Sequence, residues 1–446
     1  MLTFASMRSA VTAPGFDGIA RVMYWLMTRN VASRVISYTD PLTGARSLPG
    51  AIVASPSFAT DGTGDTTQNY VFHWVRDAAI AAAEIAASGS RAGDPLVDLR
   101  MAQYAEFAAT CQAATDDLAT AVFTIDGRPR QGWSLQHDGP ALQALMLLGA
   151  AERLDGPARD AARGVVERDL AFVVERAHDP ATNLWEEVSG QSLFTRAVQL
   201  RALRAAPDNA LGAAIPAGAP DVEAWLAARI PDHVDGNGRY LSVLDAQLRP
   251  DYDPNIDVVL ACLHGAIPAT DPHLLATVAE LRRIWTDPAS PFRYPINDID
   301  AAEDLGPLVG RYPGDVYDGD NDPTDTTRDV VGHPWPVCSA ALAELHYRVA
   351  AAIANDAAPP ADDLSRPFFA QVGASGVATS EAVAALCRAG DRILRAIVSH
   401  SDHLSLSEQF DKESGFEKSV RELTWSYAAF LSAVRARRRV RPGGGG

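Results

Sequence analysis

Two adjacent glutamates, Glu186 and Glu187, follow a tryptophan in the segment Asn-Leu-Trp-Glu-Glu-Val at 183–188. Adjacent glutamates most often form a solvated turn. Beside an aromatic ring, however, repulsion and burial can raise the pKa of one carboxyl, and a general acid that works near neutral pH requires such a shift. The pair is therefore a candidate for acid–base chemistry.

Tryptophans recur next to charged residues elsewhere in the chain. Five of the eight lie in or beside segments that carry charges and few aliphatic residues, namely Trp74, Trp133, Trp185, Trp335 and Trp425. A tryptophan ring suits the flat apolar face of a sugar, while neighbouring carboxylates and guanidinium groups can hydrogen-bond the sugar hydroxyls. Core packing is the ordinary alternative for any single tryptophan. Several such clusters on different loops favour a carbohydrate site.

These clusters occupy residues 70–77, residues 310–315 with 333–335, and residues 406–411 with 423–427. The first and the last of these have structural alternatives. Asp77 could be a carboxylate at a helix start with Arg76 as its ion-pair partner. Taken alone, Glu408 would be an ordinary loop carboxylate.

The elements that must position these clusters are mainly helices, because alanine-rich stretches with apolar residues at helical spacing dominate the chain. Twelve helices are predicted, over residues 16–37, 77–88, 98–118, 139–154, 156–178, 192–206, 220–230, 256–267, 271–286, 336–355, 380–398 and 419–438. Strand signals are few and short, the best being residues 239–244.

Two helix starts carry readable signals. Asp138 precedes Gly139 and Pro140, which predicts an N-cap followed by a proline that needs no helical N–H. Ser419 and Glu422 have capping-box spacing, which predicts that the last helix begins near Ser419.

Long polar segments lie between the helices, the largest at 55–68 and 317–332, and such loops in a compact domain are usually functional or disordered. No interdomain linker is evident. We therefore expect a single all-α domain over residues 1–435 with long connecting loops, followed by a disordered basic and glycine-rich tail over 436–446.

The 446-residue chain is 47% hydrophobic and 21% charged, as in ordinary soluble proteins, and its formal net charge is -17. Such an acidic chain repels nucleic acid and anionic lipid. No stretch approaches the roughly 18 consecutive apolar residues of a membrane span. We expect a neutral or cationic ligand such as a sugar, and neither nucleic acid nor membrane as a partner.

The four cysteines, Cys111, Cys262, Cys338 and Cys387, are widely spaced. This spacing argues against a zinc site or a disulfide scaffold and predicts buried free thiols. Residues 1–16 lack a long apolar stretch that ends in a cleavage site, so we expect a cytoplasmic protein, the alternative being a leader that this chain does not include. The sequence leaves the oligomeric state open.

Taken in order, the motifs resemble those of the glucoamylases, glycoside hydrolase family 15. The resemblance rests on residues 54–57 with 74–77, 138–141, 183–199, 294–297, 310–313, and 407–411 with 423–427. It extends from about residue 50 to 430, nearly the whole chain, and the uncommon strings recur in the family's order.

The resemblance implies an (α/α)6 barrel of six inner and six outer helices, with the site formed by loops at one end. It implies that Glu186 is the catalytic acid, its pKa raised by Glu187 and burial, and that Glu408 is the ionised base. Inverting glycosidases place these carboxyls roughly 6.5–9.5 Å apart, so that a water molecule fits between the base and the sugar. No cofactor or metal is implied.

Substrate-binding roles are implied for eight residues: Tyr70, Trp74, Arg76, Asp77, Trp185, Glu187, Arg311 and Trp335. Arg76 and Asp77 match residues that hold the terminal glucose, and Glu187 and Arg311 match residues that contact the next sugar. The expected activity is exo-acting release of β-D-glucose from non-reducing ends of starch-like or malto-oligosaccharide substrates.

Three departures from the fungal pattern leave specificity open. Asn183 stands where fungal members carry aspartate, Phe72 replaces a tyrosine, and Trp133 lies one place from the fungal tryptophan. Trehalose, isomaltose or dextran hydrolysis are the alternatives on the same scaffold. A non-catalytic regulatory barrel is the less favoured alternative from another class.

The loop at 317–332 carries Asp318, Asp320, Asp322, Asp325 and Asp329. Their spacing resembles a calcium loop, but Pro323 occupies the place where an EF-hand turn needs glycine. A solvated acidic loop is therefore favoured over a calcium site.

Overall fold

The computed structural model describes residues 15–40, 43–60, 66–88, 93–319, 332–356 and 362–440. Three predictions concern residues outside these ranges. They are the character of residues 1–14, the glycine-rich end at 441–446, and the calcium alternative, which involves Asp320, Asp322, Asp325 and Asp329.

Fourteen α-helices occur in the described residues. They are α1 Phe16–Arg29, α2 Val75–Ser88, α3 Pro95–Ala113, α4 Asp138–Gly149, α5 Gly156–Arg176, α6 Leu193–Ala205, α7 Ala219–Arg229, α8 Asp257–His264, α9 Pro272–Thr286, α10 Ile296–Ala302, α11 Pro336–Asp356, α12 Arg366–Gln371, α13 Thr379–His400 and α14 Thr424–Val440. Each of the twelve predicted helices is present. Only the short α10 and α12 were not predicted, because one or two turns show too little periodicity to be recognised.

The helices form two concentric layers. An inner ring consists of α2, α4, α6, α8, α11 and α14, in which each helix packs against the next and α14 closes the ring against α2. An outer layer of α1, α3, α5, α7, α9 and α13 packs against it, and inner and outer helices alternate along the chain. This arrangement is an (α/α)6 barrel and confirms the predicted fold.

The sequence of each helix fits its layer. Helix α8 is buried along its length from Asp257 to Leu263, and α2 is buried around most of its circumference through small residues that allow neighbouring helices to approach. Outer helix α13 instead buries one stripe that includes Ala382, Leu386 and Ile393, and leaves its other face in solvent. All-round burial and single-face burial distinguish inner helices from outer ones.

Nine short strands pair in the loops of the described residues. They are β1 Phe58–Thr60, β2 Thr66–Asn69, β3 His73–Trp74, β4 Val122–Phe123, β5 Ala181–Thr182, β6 Ser189–Ser192, β7 Val243–Leu244, β8 Gln409–Phe410 and β9 Glu417–Lys418. They pair antiparallel as β1–β2, β3–β4, β5–β6–β7 and β8–β9. The predicted strand at 239–244 is shortened to β7, with an isolated bridge at Tyr240.

Both predicted capping signals were wrong. Asp138 is the first residue of α4 rather than its cap, and its carboxylate accepts a hydrogen bond from Arg76 instead. Helix α14 begins at Thr424, because Ser419 and Glu422 have positive φ angles of 64° and 53° that a helix cannot contain.

Several predicted boundaries also differ; for example, α3 ends at Ala113 rather than at residue 118. Helix α1 ends at Arg29 rather than at residue 37. Helix α14 continues to Val440, so residues 436–440, predicted as part of the tail, are helical.

The four cysteines are free and buried, as predicted. One helical stretch in the described residues, Pro336–Asn355, is long and apolar enough to cross a membrane by length and composition, with a mean hydropathy of 1.2. It is 78% buried because it belongs to the inner ring, and core helices commonly have this composition.

Candidate active site

The amino-terminal ends of the inner helices converge at one end of the barrel. Asp77 lies in the first turn of α2, Asp138 is the first residue of α4, and Trp335 directly precedes α11. Each is buried. The loops that lead into the inner helices therefore build the site.

Glu186 lies in the turn between β5 and β6 with a φ of 65°, a left-handed conformation that is unfavourable for a residue other than glycine. Its N–H donates to the carbonyl of Asn183 at 3.0 Å. The next N–H, that of Glu187, donates to Oδ1 of Asn183 at 3.2 Å. This tight turn directs the two glutamate side chains to different partners.

Three nitrogen donors hold the Glu186 carboxyl. Nε1 of Trp74 donates to Oε1 at 2.8 Å, Nε1 of Trp133 donates to Oε2 at 2.8 Å, and Nη2 of Arg76 lies 3.4 Å from Oε1. Burial raises the pKa of Glu186, whereas Arg76 and the two indole hydrogen bonds lower it; the balance is a raised pKa. A raised pKa is what a general acid requires.

Glu187 does not contribute to this shift in the way the sequence indicated. Its Oε1 accepts from Nη2 of Arg311 at 2.8 Å, and its Oε2 accepts from the hydroxyl of Tyr312 at 2.7 Å. The charge of Glu187 is thus paired, and burial raises the pKa of Glu186 against the attraction of Arg76. Burial, one of the two predicted causes, is the largest cause of the raised pKa, and Glu187 is not among the principal causes.

Arg311 is enclosed by acids and aromatic rings. Its Nε and Nη2 donate to the two carboxylate oxygens of Asp315 at 2.8 and 2.6 Å. Four aromatic rings lie 5.0–5.5 Å from its guanidinium carbon, those of Trp185, Tyr312, Tyr317 and Trp335. Such bidentate pairing and cation–π contact fix the orientation of the guanidinium plane.

Arg76 connects the acid to its neighbours. It lies 3.3 Å from Asp77 and 3.2 Å from Asp138, and it donates to Oε1 of Gln136 at 2.8 Å. Burial raises the pKa of Asp77 to about 6, although Arg76 opposes the shift. The Arg76–Asp77 ion pair is therefore real, but it is buried and shared with Glu186 rather than a surface feature of a helix start.

Glu408 accepts hydrogen bonds from three hydroxyl groups. Tyr70 donates to Oε1 at 2.8 Å, and Tyr317 donates to Oε2 at 2.9 Å. Ser419 also donates to Oε2. Burial raises the pKa of Glu408 and the three hydroxyl groups lower it, with a raised pKa as the balance. Hydroxyl donors stabilise the ionised form that a base needs.

The backbone at Gly319 packs closely against this carboxylate. A Cβ atom at Gly319 would overlap Oγ of Ser419 and lie 2.9 Å from Oε2 of Glu408. The N–H of Gly319 donates to Oε1 of Gln409 at 3.0 Å. Only glycine allows the chain to approach the base this closely.

Trp133 is held in place by a guanidinium group. The guanidinium carbon of Arg130 lies 4.0 Å from the ring centroid of Trp133 and 4.1 Å from that of Phe72. Arg130 is thus sandwiched between two rings, one of which donates to Glu186.

The sequence profile described as glycosyl hydrolases family 15 matches residues 27–435. The chain belongs to this family. It is 26% identical over 427 residues to a probable glucoamylase of Schizosaccharomyces pombe, covering 88% of this chain and 86% of that protein. It is also 26% identical over 463 residues to an intracellular sporulation-specific glucoamylase of Saccharomyces cerevisiae, covering 88% and 79%. The solved glucoamylase from Saccharomycopsis fibuligera superimposes with a TM-score of 0.79 at 22% identity, covering 96% of this chain and 95% of that structure.

As a family 15 glycoside hydrolase, the protein acts on carbohydrate. Contacts join all ten residues that the sequence indicated: Tyr70, Trp74, Arg76, Asp77, Trp185, Glu186, Glu187, Arg311, Trp335 and Glu408. Tyr317 completes the network, because it contacts both Glu408 and Arg311. The individual roles of these residues stay predictions.

Several residues that touch this network had no predicted site role, among them Asp138, Tyr312, Asp315, Tyr317 and Ser419, whereas Trp133 was already in a candidate cluster. Asp138 and Asp315 lie in or beside strings that the family 15 resemblance already included, so their position was a usable signal. Ser419 carried no such signal, because its spacing indicated a helix cap. Among the described residues, no group of three His, Cys, Asp or Glu side chains is arranged to hold a metal ion.

Proposed function

We propose that this family 15 enzyme is an inverting, exo-acting α-glucosidase of the glucoamylase type, which releases β-D-glucose from the non-reducing ends of malto-oligosaccharides and starch-like glucans. One observation carries the proposal. Two glutamates in one contact network, the partly buried Glu186 and the buried Glu408, are held by different sets of donors, nitrogen donors for the first and hydroxyl donors for the second.

In the proposed reaction Glu186 donates its proton to the glycosidic oxygen as the bond to the anomeric carbon breaks. Burial favours the protonated form of Glu186. Its indole donors and Arg76 then stabilise the carboxylate that remains. A group with this balance can serve as a general acid and be reprotonated from solvent after each turnover.

Glu408 accepts a proton from a water molecule, whose oxygen attacks the anomeric carbon from the face opposite the leaving group. The three hydroxyl donors orient the carboxylate and favour its ionised form. Direct attack by water inverts the anomeric configuration, so an α-glucoside yields β-D-glucose. Glu186 gives up one proton and Glu408 takes up one, so the total number of protons on the two carboxyl groups is unchanged by the step.

Binding of a neutral sugar follows from how the charged groups are paired. Arg76 and Arg311 both have carboxylate partners, and the acidic groups around them outnumber them, so the site disfavours an anionic ligand and offers fixed hydrogen-bonding groups to a neutral one. The rings of Trp185 and Trp335, with centroids 5.9 Å apart, supply apolar surface for a sugar face. The glucoamylases of Schizosaccharomyces pombe and Saccharomyces cerevisiae support a starch-like substrate by similarity.

The test is a comparison of glucose release from maltose, maltotetraose, soluble starch, isomaltose and trehalose. We expect the maltose series and starch to have the highest kcat/KM, and proton NMR of the first product to show the β-anomer. A preference for trehalose or isomaltose would contradict the proposed substrate, and an α-anomer would contradict inversion. Material in which Glu186 is replaced by Gln serves as the control for contaminating hydrolases.

We also infer a cytoplasmic location, as the sequence predicted. Four free buried cysteines fit a reducing compartment. Fractionation of the source cells with an antibody against the protein tests this, and recovery of the protein outside the cells would contradict it.

A further inference from the structure

A cavity extends from the middle of the barrel towards the end opposite the two glutamates. It has a volume of about 420 Å³ and is lined by residues from all six inner helices, and its charged lining residues lie in the middle or the carboxyl-terminal part of those helices. Along α14 the cavity reaches from Ala428 to Arg439, and Arg435 is about 15 Å from the catalytic end, since ten residues separate it from Trp425 at about 1.5 Å per residue. Its volume is in the range of small-molecule sites, which is roughly 300–1,000 Å³.

The cavity combines apolar walls with an excess of positive charge. The walls include Ile80, Leu142, Leu145, Met146, Leu260 and Leu263. The charged lining residues are Glu84, Glu344, Arg201, Arg348, Arg435 and Arg439, so four guanidinium groups face two carboxylates. His264 adds no charge, because burial lowers its pKa to about 3. A local excess of two positive charges is unusual in a chain with a net charge of -17.

The guanidinium groups lie in front of the carboxylates. The side chain of Arg348 is 32% exposed, whereas that of its partner Glu344 is 3% exposed, at an N–O distance of 2.6 Å. The side chain of Arg435 is 26% exposed and that of its partner Glu84 is 7% exposed. The two glutamates lie deeper than the arginines and orient them through these ion pairs. The guanidinium groups, rather than the carboxylates, therefore form the charged surface of the cavity.

Arg201 makes a different set of contacts. Its Nη1 donates to the carbonyls of Leu263 and His264 at 3.2 and 3.1 Å, where α8 ends, and it forms no ion pair with a carboxylate among the described residues. These bonds satisfy the partial negative charge at the end of α8 with a single guanidinium nitrogen. Burial lowers the pKa of Arg201, and the positive charge of Arg348 lowers it further.

We propose that this cavity binds a small anion that bears phosphate or carboxylate groups, with the anionic groups on Arg201, Arg348 and Arg435 and any apolar part against the leucine-rich walls. Guanidinium groups recognise both kinds of group through paired, charge-assisted hydrogen bonds. An anion would also relieve the repulsion between Arg201 and Arg348. This site is separate from the proposed sugar site and does not depend on the proposed activity.

Calorimetric titration of the full chain with sodium pyrophosphate and with sodium citrate, against sodium chloride at matched ionic strength, tests the proposal. We expect saturable binding of at least one anion, together with a rise in the thermal unfolding midpoint that follows its concentration. Pyrophosphate alone would identify a phosphate-bearing ligand, and citrate alone a carboxylate-bearing one. No saturable binding of either would overturn the proposal.

Variants locate the binding. Arg201→Ala should weaken it at least about tenfold, the effect of losing one charge-assisted hydrogen bond. Arg204→Ala is the matched control, because Arg204 lies on the same helix but pairs with Glu223 on the outside. Arg439→Ala removes another of the four lining guanidinium groups at an exposed position, so it should also weaken binding through loss of positive charge. It decides the question if Arg201→Ala does not fold. Equal binding by these variants and the control would overturn the proposal.

Discussion

Tyr70 and Trp74 lie four residues apart in the segment that leads into α2, and each donates a hydrogen bond to a different one of the two candidate catalytic glutamates. The bonds, to Glu408 and Glu186 respectively, are both 2.8 Å long. The two ring centroids are 5.6 Å apart. One short stretch of chain therefore spaces the acid and the base relative to each other, although 222 positions separate them in sequence (408 minus 186).

Replacement of Glu186 by Gln keeps the shape of the side chain but removes the proton that it donates. General acid–base groups contribute about 10²–10⁴-fold, so kcat on maltose should fall by at least about 10². Glu175→Gln, an exposed glutamate on α5, is the control and should leave kcat unchanged. An active Glu186→Gln enzyme would rule out Glu186 as the acid.

Replacement of Glu408 by Ala removes the base and leaves space beside the attacked carbon. Hydrolysis should fall by at least about 10², and azide should partly restore turnover and give β-glucosyl azide, because a small anion can attack where water was activated. Mass spectrometry and NMR identify the product. If Glu408→Ala hydrolyses normally, or azide gives the α-product, the assignment of Glu408 is wrong.

The hydrogen bond from Trp133 stabilises the ionised form of Glu186, so Trp133→Phe should raise the pKa of Glu186 further. The acid must be protonated, and activity is lost as pH rises through its pKa. The basic limb of the kcat/KM profile should therefore move to higher pH, by about one unit for a charged hydrogen bond. An unmoved basic limb would contradict the role of Trp133.

Ser419→Ala should shift the acidic limb of the kcat/KM profile. The Ser419 hydroxyl lowers the pKa of Glu408, and its removal should raise that pKa. The base must be ionised, and activity is lost as pH falls through its pKa, so the acidic limb should move to higher pH by about one unit. The opposite result, in which Ser419→Ala moves the basic limb and Trp133→Phe moves the acidic limb, would mean that Glu186 is the base and Glu408 the acid.

Arg130→Ala should loosen Trp133. Loss of two cation–π contacts at about 0.5–1 kcal/mol each predicts a fall of about 1–2 kcal/mol in the free energy of unfolding. The basic limb should move in the same direction as in Trp133→Phe, but less. Arg128→Ala is the control, because Arg128 is exposed and pairs with Asp126. Urea unfolding and a pH profile measure both effects, and equal behaviour of the two variants would contradict the prediction.

The helices could be predicted from the sequence because their burial is periodic. Outer helices such as α13 have one apolar stripe, and inner ones such as α8 have a continuous apolar run, so both leave a local pattern. The two wrong capping signals, at Asp138 and Ser419, share a cause. Both residues are used by the site, where hydrogen bonds to Arg76 and Glu408 replace the local bonds to a helix start.

The contacts of the site were less accessible to sequence reasoning. Trp133 lies one place from the family's tryptophan, and only the folded loop shows that its indole nitrogen reaches Glu186. Repulsion between Glu186 and Glu187 was inferred from their adjacency, but the positive φ of Glu186 directs them to different partners. Such relationships depend on tertiary geometry that no local pattern records.

The packing of the outer helix α1 on the inner helix α14 has a consequence for the order of the elements. The first and last helices pack together, with Arg438 bound to Asp17 at 2.7 Å and the guanidinium carbon of Arg437 lying 5.2 Å from the ring of Phe16. Around the barrel the helical hairpins therefore follow one another in a circle with no structural beginning. A circularly permuted chain, in which a short linker joins residue 440 to residue 16 and new termini open in an exposed outer loop, should fold into the same barrel with both glutamates in place.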